Sequence, residues 1–375
     1  IDCWKKDQTR HYFKSLGILF SALFIALSLN ATNLMATGEY ISESTRGNSS
    51  ELTINPDGTF KEVSAGLDKA YITQWSYGIF ESLNLFIPRI MGGGSVEDVG
   101  LESNFYSFLR KNGYSALESK QIVENTPTYW GDQPFVEAPA YIGSVVFFLF
   151  VFSLFIIKGK YRNWAISAIV ISLLLSYGKN LIFLTDLFID YFPLYDKFRA
   201  VSSIQVILEL CIPFVAILGL SEITANKSND KNITYLIRAL VIFSLIFLAL
   251  FLFKGSLTFS GINDVNINPS ILEAIKQDRM DIYSNELFRV LLFVLLAFTA
   301  LFVYLKKKIK SEVLIIVLVV LVLVDLVPFN RQYVNNTNFV DADLVDNPYS
   351  IDQVNSEILK DKSYFRVLDL TTNST

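Results

Sequence analysis

Residues 176–220 read SYGKNLIFLTDLFIDYFPLYDKFRAVSSIQVILELCIPFVAILGL. The first half of this stretch sets aspartates, lysines and an arginine among Phe, Tyr, Ile and Leu, and the second half is an apolar run that carries Glu209. The first half is too apolar for a solvated loop and too charged for a bilayer span. It therefore predicts a helix at the membrane surface, with its charges facing a wet cleft. The second half predicts a transmembrane helix.

The composition of the whole chain is typical of a membrane protein. Of the 375 residues, 52% are hydrophobic, 18% are charged and 31 are Phe, which is more apolar than a soluble protein of this length requires. The net charge of -4 supplies no basic surface, which argues against nucleic-acid binding. The two cysteines, Cys3 and Cys211, form no disulfide framework. The predicted fold class is mostly α, with about seven transmembrane helices and external α+β segments.

Seven apolar segments are predicted as membrane spans. They lie at 16–36, 141–157, 164–176, 200–220, 235–253, 287–305 and 313–329. Lysines and arginines cluster before the first span and in alternate loops. By the positive-inside rule, this pattern places residue 1 in the cytoplasm and residue 375 outside.

This topology predicts the order of domains along the chain. Residues 1–15 are cytoplasmic, and the acidic segment 37–139 forms an external cap. Residues 140–329 hold six further spans, with an external interfacial segment at 177–199 and an external loop at 254–286. Residues 330–375 begin a truncated external domain, so we expect the chain to be a fragment of a longer protein.

Three local patterns predict structure in the external segments. The alternation at 51–61 around Asn-Pro-Asp-Gly predicts a β-hairpin. A capping box at 270–273 predicts a short helix that ends near residue 281. The phrase at 363–370 is typical of an edge strand.

Four phrases carry a resemblance to a known family. They are GLDKAYITQWSYGIFESLNLFIPRIMGGGS at 66–95, YWGDQPFVEAPAYIG at 129–143, SYGKN at 176–180 followed by FIDYFPLYDKFRAVSS at 188–203, and DKSYFRVLDLTTN at 361–373. In this order they resemble the YfhO-like family of bacterial integral membrane proteins, which is grouped with the GT-C glycosyltransferases. The resemblance covers nearly the whole chain and is closest to the C-terminal part of that family's membrane domain.

The resemblance implies both a location and a reaction. It implies a multi-pass protein of the bacterial inner membrane that takes a sugar from a polyprenyl-phosphate donor on the outer face. The sugar would pass to a cell-envelope acceptor, either a glycopolymer or a lipid. In GT-C enzymes the catalytic carboxylate generally lies in the first external loop, which the resemblance places outside this chain.

A lipid-phosphate donor requires cations at headgroup depth. Arg199 and Lys197 directly precede the span at 200–220, and arginine binds phosphate oxygens with two parallel hydrogen bonds. They are the first candidates for donor-phosphate binding, and Lys179 is the third. The alternative is that these side chains anchor a helix end at the interface or pair with Asp190 and Asp196.

The catalytic residue stays unknown, with Asp186, Asp190 and Glu209 as weak candidates. Asp186 and Asp190 are four residues apart, so on a helix they share a face and repel each other. They would suit an active site or a metal, but salt bridges explain them equally well. Glu209 and Asp325 lie inside predicted spans, where ionisable side chains are costly and usually functional. Their alternative is a hydrogen-bonded packing contact.

Aromatic residues in the cap are candidates for stacking on a sugar ring. These are Trp75, Tyr77 and Trp130, whose alternative is a place in the core or at the interface. The glycines at 92–94 lack the Lys-Ser/Thr ending of a phosphate-binding loop and predict a flexible turn. The Asp-Ala-Asp at 341–343 is a chance-level match to a nucleotide-sugar motif. The only histidine, His11, lies on the cytoplasmic side, so no zinc site is predicted outside.

Two classes of function fit these patterns. The preferred one is the glycosyltransferase, with no cofactor indicated and a divalent metal left open. The alternative is a non-catalytic transporter or envelope scaffold. A transporter predicts internal repeats and broken helices. A scaffold predicts that Asp186, Asp190 and Arg199 pair with one another.

Overall fold

The computed structural model describes residues 9–42, 44, 46, 67–225, 230–346 and 353–364. Within these ranges the chain is mostly helical and has no β-strand, and a single antiparallel bridge joins Glu97 to Thr126. The expected β content of the external segments is therefore not found in the part that is described. The hairpin predicted at 51–61 lies outside the described residues, as does most of the edge strand predicted at 363–370.

The α-helices of the described residues are numbered in chain order. They are α1 (Thr9–Leu29), α2 (Ala31–Ser42), α3 (Lys69–Ile72), α4 (Asn104–Lys111), α5 (Ala116–Val123), α6 (Ser144–Ile156), α7 (Lys160–Ser176), α8 (Ile182–Tyr191), α9 (Val206–Ala225), α10 (Asp230–Phe253), α11 (Pro269–Leu305), α12 (Ser311–Tyr333), α13 (Ala342–Asp346) and α14 (Gln353–Ile358). Short 3-10 helices connect several of them, among others at Phe80–Leu85, Gly178–Leu181, Tyr195–Lys197 and Val201–Gln205. The chain divides into two compact units, Ile1–Leu326 and Val327–Thr375.

Five helical segments are long and apolar enough to cross a bilayer. They are Thr9–Leu29, Val201–Ala225, Lys231–Ser256, Pro269–Leu305 and Ser311–Asn338. Their side chains on the outer surface are apolar and exposed, as Leu245, Phe251 and Leu292 illustrate, which is typical of a lipid-facing surface. The described residues therefore have the architecture of a multi-pass membrane protein.

Two of the seven predicted spans are helices too short to cross a bilayer by themselves. Helix α6 has 13 residues, a length of about 20 Å against the roughly 30 Å of a hydrocarbon core. Helix α7 has 17 residues. It passes as a span only together with Gly178–Tyr191, which is bent by 107° from it. The described spans thus number five, or six if the bent pair is one span.

Helix boundaries differ from the predicted ones where the ends of a helix do not coincide with the ends of an apolar run. The predicted short helix near 270–281 and the predicted span at 287–305 are one helix, α11, of 37 residues. It begins at Pro269 because the Asn268 side chain accepts a hydrogen bond from the Ser270 N–H, so the predicted capping box does not form the start. The predicted first span at 16–36 is broken at Asn30, between α1 and α2.

The core of the first unit lies where α6, α9, α10 and α11 pack together. Phe148, Phe152 and Phe243 fill it. Helices α6 and α9 approach closely at Gly219, where a β-carbon would lie 1.9 Å from the Ser153 hydroxyl oxygen. Small residues at such crossings are how helices pack without a hydrophobic driving force.

The cap segment, residues 67–139, packs on the first half of α11. Phe105, Leu109 and Val123 form a small core with Ala274 and Ile275 of that helix. The start of α4 is also held there, because Asp278 accepts hydrogen bonds from the backbone N–H groups of residues 104 and 105 at 2.7 and 3.0 Å. This packing fixes the cap relative to the helices of its own unit.

Candidate functional site

Two of the phrases that carry the family resemblance interlock in the structure. The Tyr77 N–H donates to the Ser176 carbonyl at 2.9 Å, and the Lys179 N–H donates to the Ser76 hydroxyl at 2.8 Å. Gly178 has φ of 46° and lies so close to Ser76 that a β-carbon would be 2.1 Å from its hydroxyl oxygen. Only glycine fits there. The phrases at 74–78 and 176–180 are therefore held as one unit.

A polar pocket of about 150 Å³ lies beside this junction. Its polar lining residues are Tyr77, Glu81, Gln133, Ser202, Ser203 and Gln205, and residues between 136 and 140 form its other wall. We call it the Glu81 pocket. It joins three of the four phrases, since Ser202 and Ser203 belong to the third phrase. The amide nitrogen of Gln205 lies 3.4 Å from the Ser176 hydroxyl.

Glu81 is buried beside this pocket on the 3-10 helix Phe80–Leu85. One carboxylate oxygen accepts hydrogen bonds from the Tyr129 hydroxyl at 2.6 Å and the Gln133 amide at 2.9 Å, and the other accepts from the Gly78 N–H at 2.9 Å. Burial raises the pKa of Glu81, the three hydrogen bonds lower it in part, and the nearby charge of Asp132 raises it further. Glu81 therefore takes up a proton more readily than an exposed glutamate.

Asp132 supplies a second carboxylate close to Glu81. One oxygen of Asp132 lies 2.9 Å, and one oxygen of Glu81 3.2 Å, from the point where Gly78 would carry a β-carbon. The two oxygens are thus at most about 6 Å apart. Asp132 is exposed, and the Lys179 ammonium donates to its backbone carbonyl at 3.1 Å. A carboxylate pair therefore lies on either side of Gly78, with the Lys179 ammonium at the backbone of one member, and Glu81 is the member that lines the pocket.

Tyr77 lines the pocket and carries a buried hydroxyl. The side chain is 3% exposed, and its hydroxyl has no well-formed hydrogen bond within the described part of the chain, although Asn84 lies near it. Burial, and then the charge of Glu81, raise the pKa of Tyr77. Glu209 contributes to the same effect, which places the Glu209 carboxylate within electrostatic range of the pocket. Glu209 itself is exposed on the first turn of α9.

Arg279 positions the segment that carries Tyr129. Its guanidinium is fully buried and bonds Asp264 with both terminal nitrogens, at 2.6 and 2.9 Å. It also donates to the carbonyls of Pro127 at 2.7 Å and Tyr129 at 3.3 Å. Burial by itself raises the pKa of Asp264, but the hydrogen bonds from Arg279 and from the Gly261 N–H bring it below the ordinary value. The ion pair thereby fixes the backbone behind Glu81.

The residues predicted to bind the donor phosphate separate into different environments. Lys179 is exposed, and its ammonium donates to the backbone carbonyl of Asp132. Arg199 is exposed, and its guanidinium carbon lies 5.3 Å from the ring centroids of both Tyr71 and Trp75. Lys197 forms an ion pair with Asp196 at 2.9 Å, which is the alternative that the sequence raised for it. Arg199 is therefore more accessible to a ligand than Lys197.

The predicted carboxylate candidates on α8 lie elsewhere. Asp186 forms an ion pair with Lys69 of the cap segment, and Asp190 is exposed on the same helix. Neither lines the Glu81 pocket. No group of three or more His, Cys, Asp or Glu suited to a metal ion is present in the described ranges.

The predicted sugar-stacking residues also differ from one another. The Trp75 ring is half-buried and packs edge-on against Phe135, with 5.2 Å between the ring centroids. The same Trp75 ring also faces Arg199. Trp130 is buried, with the rings of Phe80 and Phe259 at 6.2 and 4.9 Å. Its ring faces the core and offers no free face to a ligand.

Two further expectations are resolved by local packing. The glycine turn at 92–94 is tightly packed, because the Gly94 N–H donates to Glu97 at 2.6 Å, and Glu97 also pairs with Arg89. Asp325 is fully buried and accepts from the Tyr141 hydroxyl at 2.6 Å, the Ser144 N–H at 2.8 Å and Arg289 at 2.7 Å. It therefore has the hydrogen-bonded packing role that the sequence gave as its alternative.

Glu81, Asp132 and Gln133 are not among the residues that the sequence predicts for the site. A signal for Glu81 was available, since it is the one carboxylate within the apolar stretch at 79–87. Asp132 and Gln133 stand in the phrase at 129–143, where the family resemblance and the aromatic residues give no role to either side chain. A scan against protein-family models, a search of curated proteins and a search of solved structures found no match to this chain.

Proposed function

We propose that this protein is a membrane glycosyltransferase that uses the Glu81 pocket. It would move a sugar from a polyprenyl-phosphate donor to a glycopolymer or lipid of the bacterial cell envelope. The observation that carries the proposal is the carboxylate pair Glu81 and Asp132. Glu81 lines a polar pocket, and the Lys179 ammonium lies 3.1 Å from the backbone carbonyl of Asp132. Two titratable groups in contrasting environments are a frequent arrangement for acid–base chemistry.

Each group has a task in the transfer. The acceptor hydroxyl oxygen forms a bond to the anomeric carbon of the donor sugar, and its proton passes to Asp132. The bond from the anomeric carbon to the phosphate oxygen breaks, and its electron pair leaves with the polyprenyl phosphate. The Lys179 ammonium stabilises the charge on the departing phosphate.

The surroundings of the pocket support a lipid-linked donor. Ser202 and Ser203 belong to Val201–Ala225, one of the segments that are apolar and long enough to span a bilayer. The pocket therefore lies at one end of a spanning helix, at the depth where a lipid phosphate would sit. The predicted topology assigns this end to the outer face of the inner membrane. Arg199, presented between two rings, is a second cation for the lipid phosphate.

The ion pairs speak against the scaffold alternative. A scaffold predicts that Asp186, Asp190 and Arg199 neutralise one another. Instead, Asp186 pairs with Lys69 of the cap, and Arg199 donates to the Tyr71 hydroxyl. Arg199 is thus an exposed cation that faces aromatic rings and not the aspartates of α8.

The proposal is tested by sugar transfer with the full chain in phospholipid nanodiscs. Short-chain polyprenyl-phosphate hexoses are supplied with a cell-envelope extract, and the released polyprenyl phosphate is quantified by mass spectrometry. We expect release by the wild type and a loss of about 100-fold or more in Asp132→Asn, because general-base catalysis contributes at least this much. Asp98→Asn, an exposed carboxylate of the cap outside the Glu81 pocket, is the matched control and retains the rate. A folded wild type that releases no polyprenyl phosphate from any donor would overturn the proposal.

A further inference from the structure

We infer that a groove between α6, α9 and α12 holds one acyl chain of a membrane phospholipid, whose primary ammonium headgroup bonds Glu209. The site is separate from the Glu81 pocket, and the inference does not depend on the proposed sugar transfer. Three features of the structure carry it. They are an exposed carboxylate on a spanning helix, a proline one turn further along that helix, and an apolar groove that is too narrow for a helix.

Glu209 is a carboxylate on the surface of a helix that is long and apolar enough to span a bilayer. It lies in the segment Val201–Ala225, and its neighbours Val206 and Leu210 are 64% and 72% exposed, which is typical of a lipid-facing surface. Within the described residues, Glu209 forms neither an ion pair nor a side-chain hydrogen bond. An ionisable side chain in a membrane span is costly unless a partner compensates its charge.

Pro213 adds a second unsatisfied acceptor at the same place. It lies inside α9, four residues after Glu209, and it has no backbone N–H. The Glu209 carbonyl therefore lacks the hydrogen bond that the residue four positions later normally donates in a helix. The backbone and the side chain of Glu209 thus both favour a hydrogen-bond donor at this surface.

The groove begins one turn from Glu209. On α9 it is lined by Pro213, Ala216, Ile217 and Leu220, and α6 and α12 form its other walls. Residues 209, 213, 216 and 220 have the spacing of a single helix face, so the Glu209 side chain lies in line with the groove. The described lining residues are all apolar. Ile217 and Val319 of this lining are 65% and 51% exposed, so the groove opens toward the lipid.

The dimensions of the groove fit one hydrocarbon chain. Its volume is about 260 Å³, and it follows α9 from Pro213 to Leu220, a distance of about 10 Å at 1.5 Å per residue. Its mean cross-section is therefore about 25 Å², whereas a helix that is 10 Å across has a cross-section of roughly 80 Å². By proportion to a cavity of about 150 Å³ that binds benzene, the groove has room for roughly ten carbon atoms. It admits part of an acyl chain and excludes a helix of a second copy or of another protein.

The charge of Glu209 and its need for a donor select the headgroup. Glu209 repels an anionic headgroup and attracts an ammonium. A primary ammonium has three N–H donors, whereas the quaternary ammonium of choline has none. Quaternary ammonium groups are recognised by aromatic side chains, and the described residues that line the groove include no aromatic side chain. The headgroup that fits is therefore a primary ammonium, as in an ethanolamine phospholipid.

The experiment measures the binding of phospholipids to the full chain in detergent by native mass spectrometry. Phosphatidylethanolamine, phosphatidylcholine and phosphatidylglycerol with the same acyl chains are titrated separately, and the apparent dissociation constant of the first bound lipid is determined for each. Glu209→Gln removes the charge, and Val319→Phe narrows the groove.

Each variant has a matched control. Glu312→Gln is the control for Glu209→Gln, because Glu312 is also exposed on the first turn of a spanning helix and does not line the groove. Val320→Phe is the control for Val319→Phe. Val320 is 50% exposed on the same helix and lies outside the groove.

We expect the wild type to bind phosphatidylethanolamine about tenfold or more tightly than the other two lipids, the effect of a hydrogen bond to a charged group. Glu209→Gln should remove this preference and leave the binding of phosphatidylcholine unchanged. Val319→Phe should weaken the binding of all three lipids, because they share the acyl chain. Glu312→Gln and Val320→Phe should bind each lipid as the wild type does.

Three results would overturn the inference. They are equal binding of the three lipids by the wild type, an unchanged preference in Glu209→Gln, and wild-type affinities in Val319→Phe. The first result requires no variant, so the inference is tested even if a variant does not fold. A dimer of the wild type that dissociates in Glu209→Gln would assign this face to a second copy of the chain and would also overturn the inference. The proposed function is tested separately, by the release of polyprenyl phosphate.

Discussion

The carboxylates of Glu81 and Asp132 approach each other across Gly78, within 3.2 and 2.9 Å of the point where that residue would carry a β-carbon. Glu81 is buried and Asp132 is exposed, so the two carboxylates lie close together but differ in their exposure to solvent. The missing side chain at residue 78 is what permits the approach. Gly78 is therefore as much a part of this arrangement as the acids themselves.

Gly78→Ala is expected to fold normally but to lower the rate of sugar transfer. The added methyl group meets the end of the Asp132 side chain, which can turn away, and the β-carbon of Glu81 at 3.1 Å. A displacement of about 1 Å in a catalytic group can cost roughly 100-fold in rate. The release of polyprenyl phosphate and the melting temperature are measured together. Gly255→Ala, where no atom lies within 4 Å of the added carbon, is the control, and an unchanged rate in Gly78→Ala would show that the carboxylate pair has no role.

Glu81→Gln is expected to stabilise the protein increasingly as the pH rises. The pKa of Glu81 is raised above its ordinary value of 4.5, so the native state keeps this proton to higher pH than the unfolded chain does. At low pH both forms are neutral and the substitution changes little. As the pH rises through the raised pKa, the wild type loses stability because a buried group must ionise, whereas glutamine does not.

The measurement is the melting temperature of Glu81→Gln and of the wild type from about pH 4 to neutral pH. Glu118→Gln provides a control of opposite sign. Glu118 is exposed on α5, and the Ser115 hydroxyl and backbone N–H lower its pKa. Its substitution should therefore destabilise the cap above the ordinary pKa, and the effect should disappear in acid. A stability difference for Glu81→Gln that shrinks with rising pH would contradict the burial argument.

Asp264→Asn is expected to destabilise the protein at neutral pH by about 3–5 kcal/mol, because it leaves the buried Arg279 guanidinium without its counter-charge. The pKa of Asp264 lies below the ordinary value of 3.8. The stabilisation is therefore complete above that value and is lost as the pH falls through the lowered pKa. Unfolding of the two proteins should converge in acid. Asp190→Asn, at an exposed position, should match the wild type at every pH, and a pH-independent difference for Asp264→Asn would argue against the ion pair.

Gly219→Ala is expected to destabilise the helix bundle by about 1–3 kcal/mol, the usual cost of overpacking. Its β-carbon would lie 1.9 Å from the Ser153 hydroxyl oxygen and 2.9 Å from the Ser153 α-carbon, so α6 and α9 must separate. Gly17→Ala in α1 is the matched control, since no atom lies within 4 Å there and alanine favours helix. Unfolding in detergent should show opposite signs for the two substitutions. Equal effects would mean that α6 and α9 do not pack as described.

Helix α8 is expected to lie at the membrane surface. It is bent by 107° from α7, and its Phe183 and Tyr191 side chains are 80% and 81% exposed. A spin label at Leu187→Cys, in a background without Cys3 and Cys211, should be more accessible to oxygen in lipid than to a water-soluble nickel chelate. Leu117→Cys, another exposed leucine but in the cap, should show the reverse. The same preference at both positions, or a depth for residue 187 at the bilayer centre, would disprove the surface location.

The sequence was most informative where the signal is local. The spans predicted at 235–253 and 200–220 match Lys231–Ser256 and Val201–Ala225 closely. The free energy of moving an apolar run from the membrane to water depends on its own residues, so the sequence is enough to locate it. Boundaries were less accurate where polarity changes inside a helix. The polar first half of α11 was separated from its apolar half, although a helix ends at a cap and not at a change of polarity.

The site was harder to predict because its pairs are distant in sequence. Glu81 is bonded to Tyr129 and Gln133, 48 and 52 residues away. Conversely, Trp130 and Asp186 were predicted from their residue types alone. In the structure Trp130 packs in the core, and Asp186 forms an ion pair with Lys69. Residue type alone does not show whether a polar or aromatic side chain already has a partner.

The sequence by itself determined that this chain belongs to a membrane and where most of its long apolar helices run, since hydrophobicity adds up along neighbouring residues. Only the tertiary structure decided which polar side chains share a pocket. Glu81, Asp132 and Lys179 come together because the cap folds back onto the residues between α7 and α9. Burial and the resulting shift in pKa arise from that contact between distant segments, and no local pattern contains them.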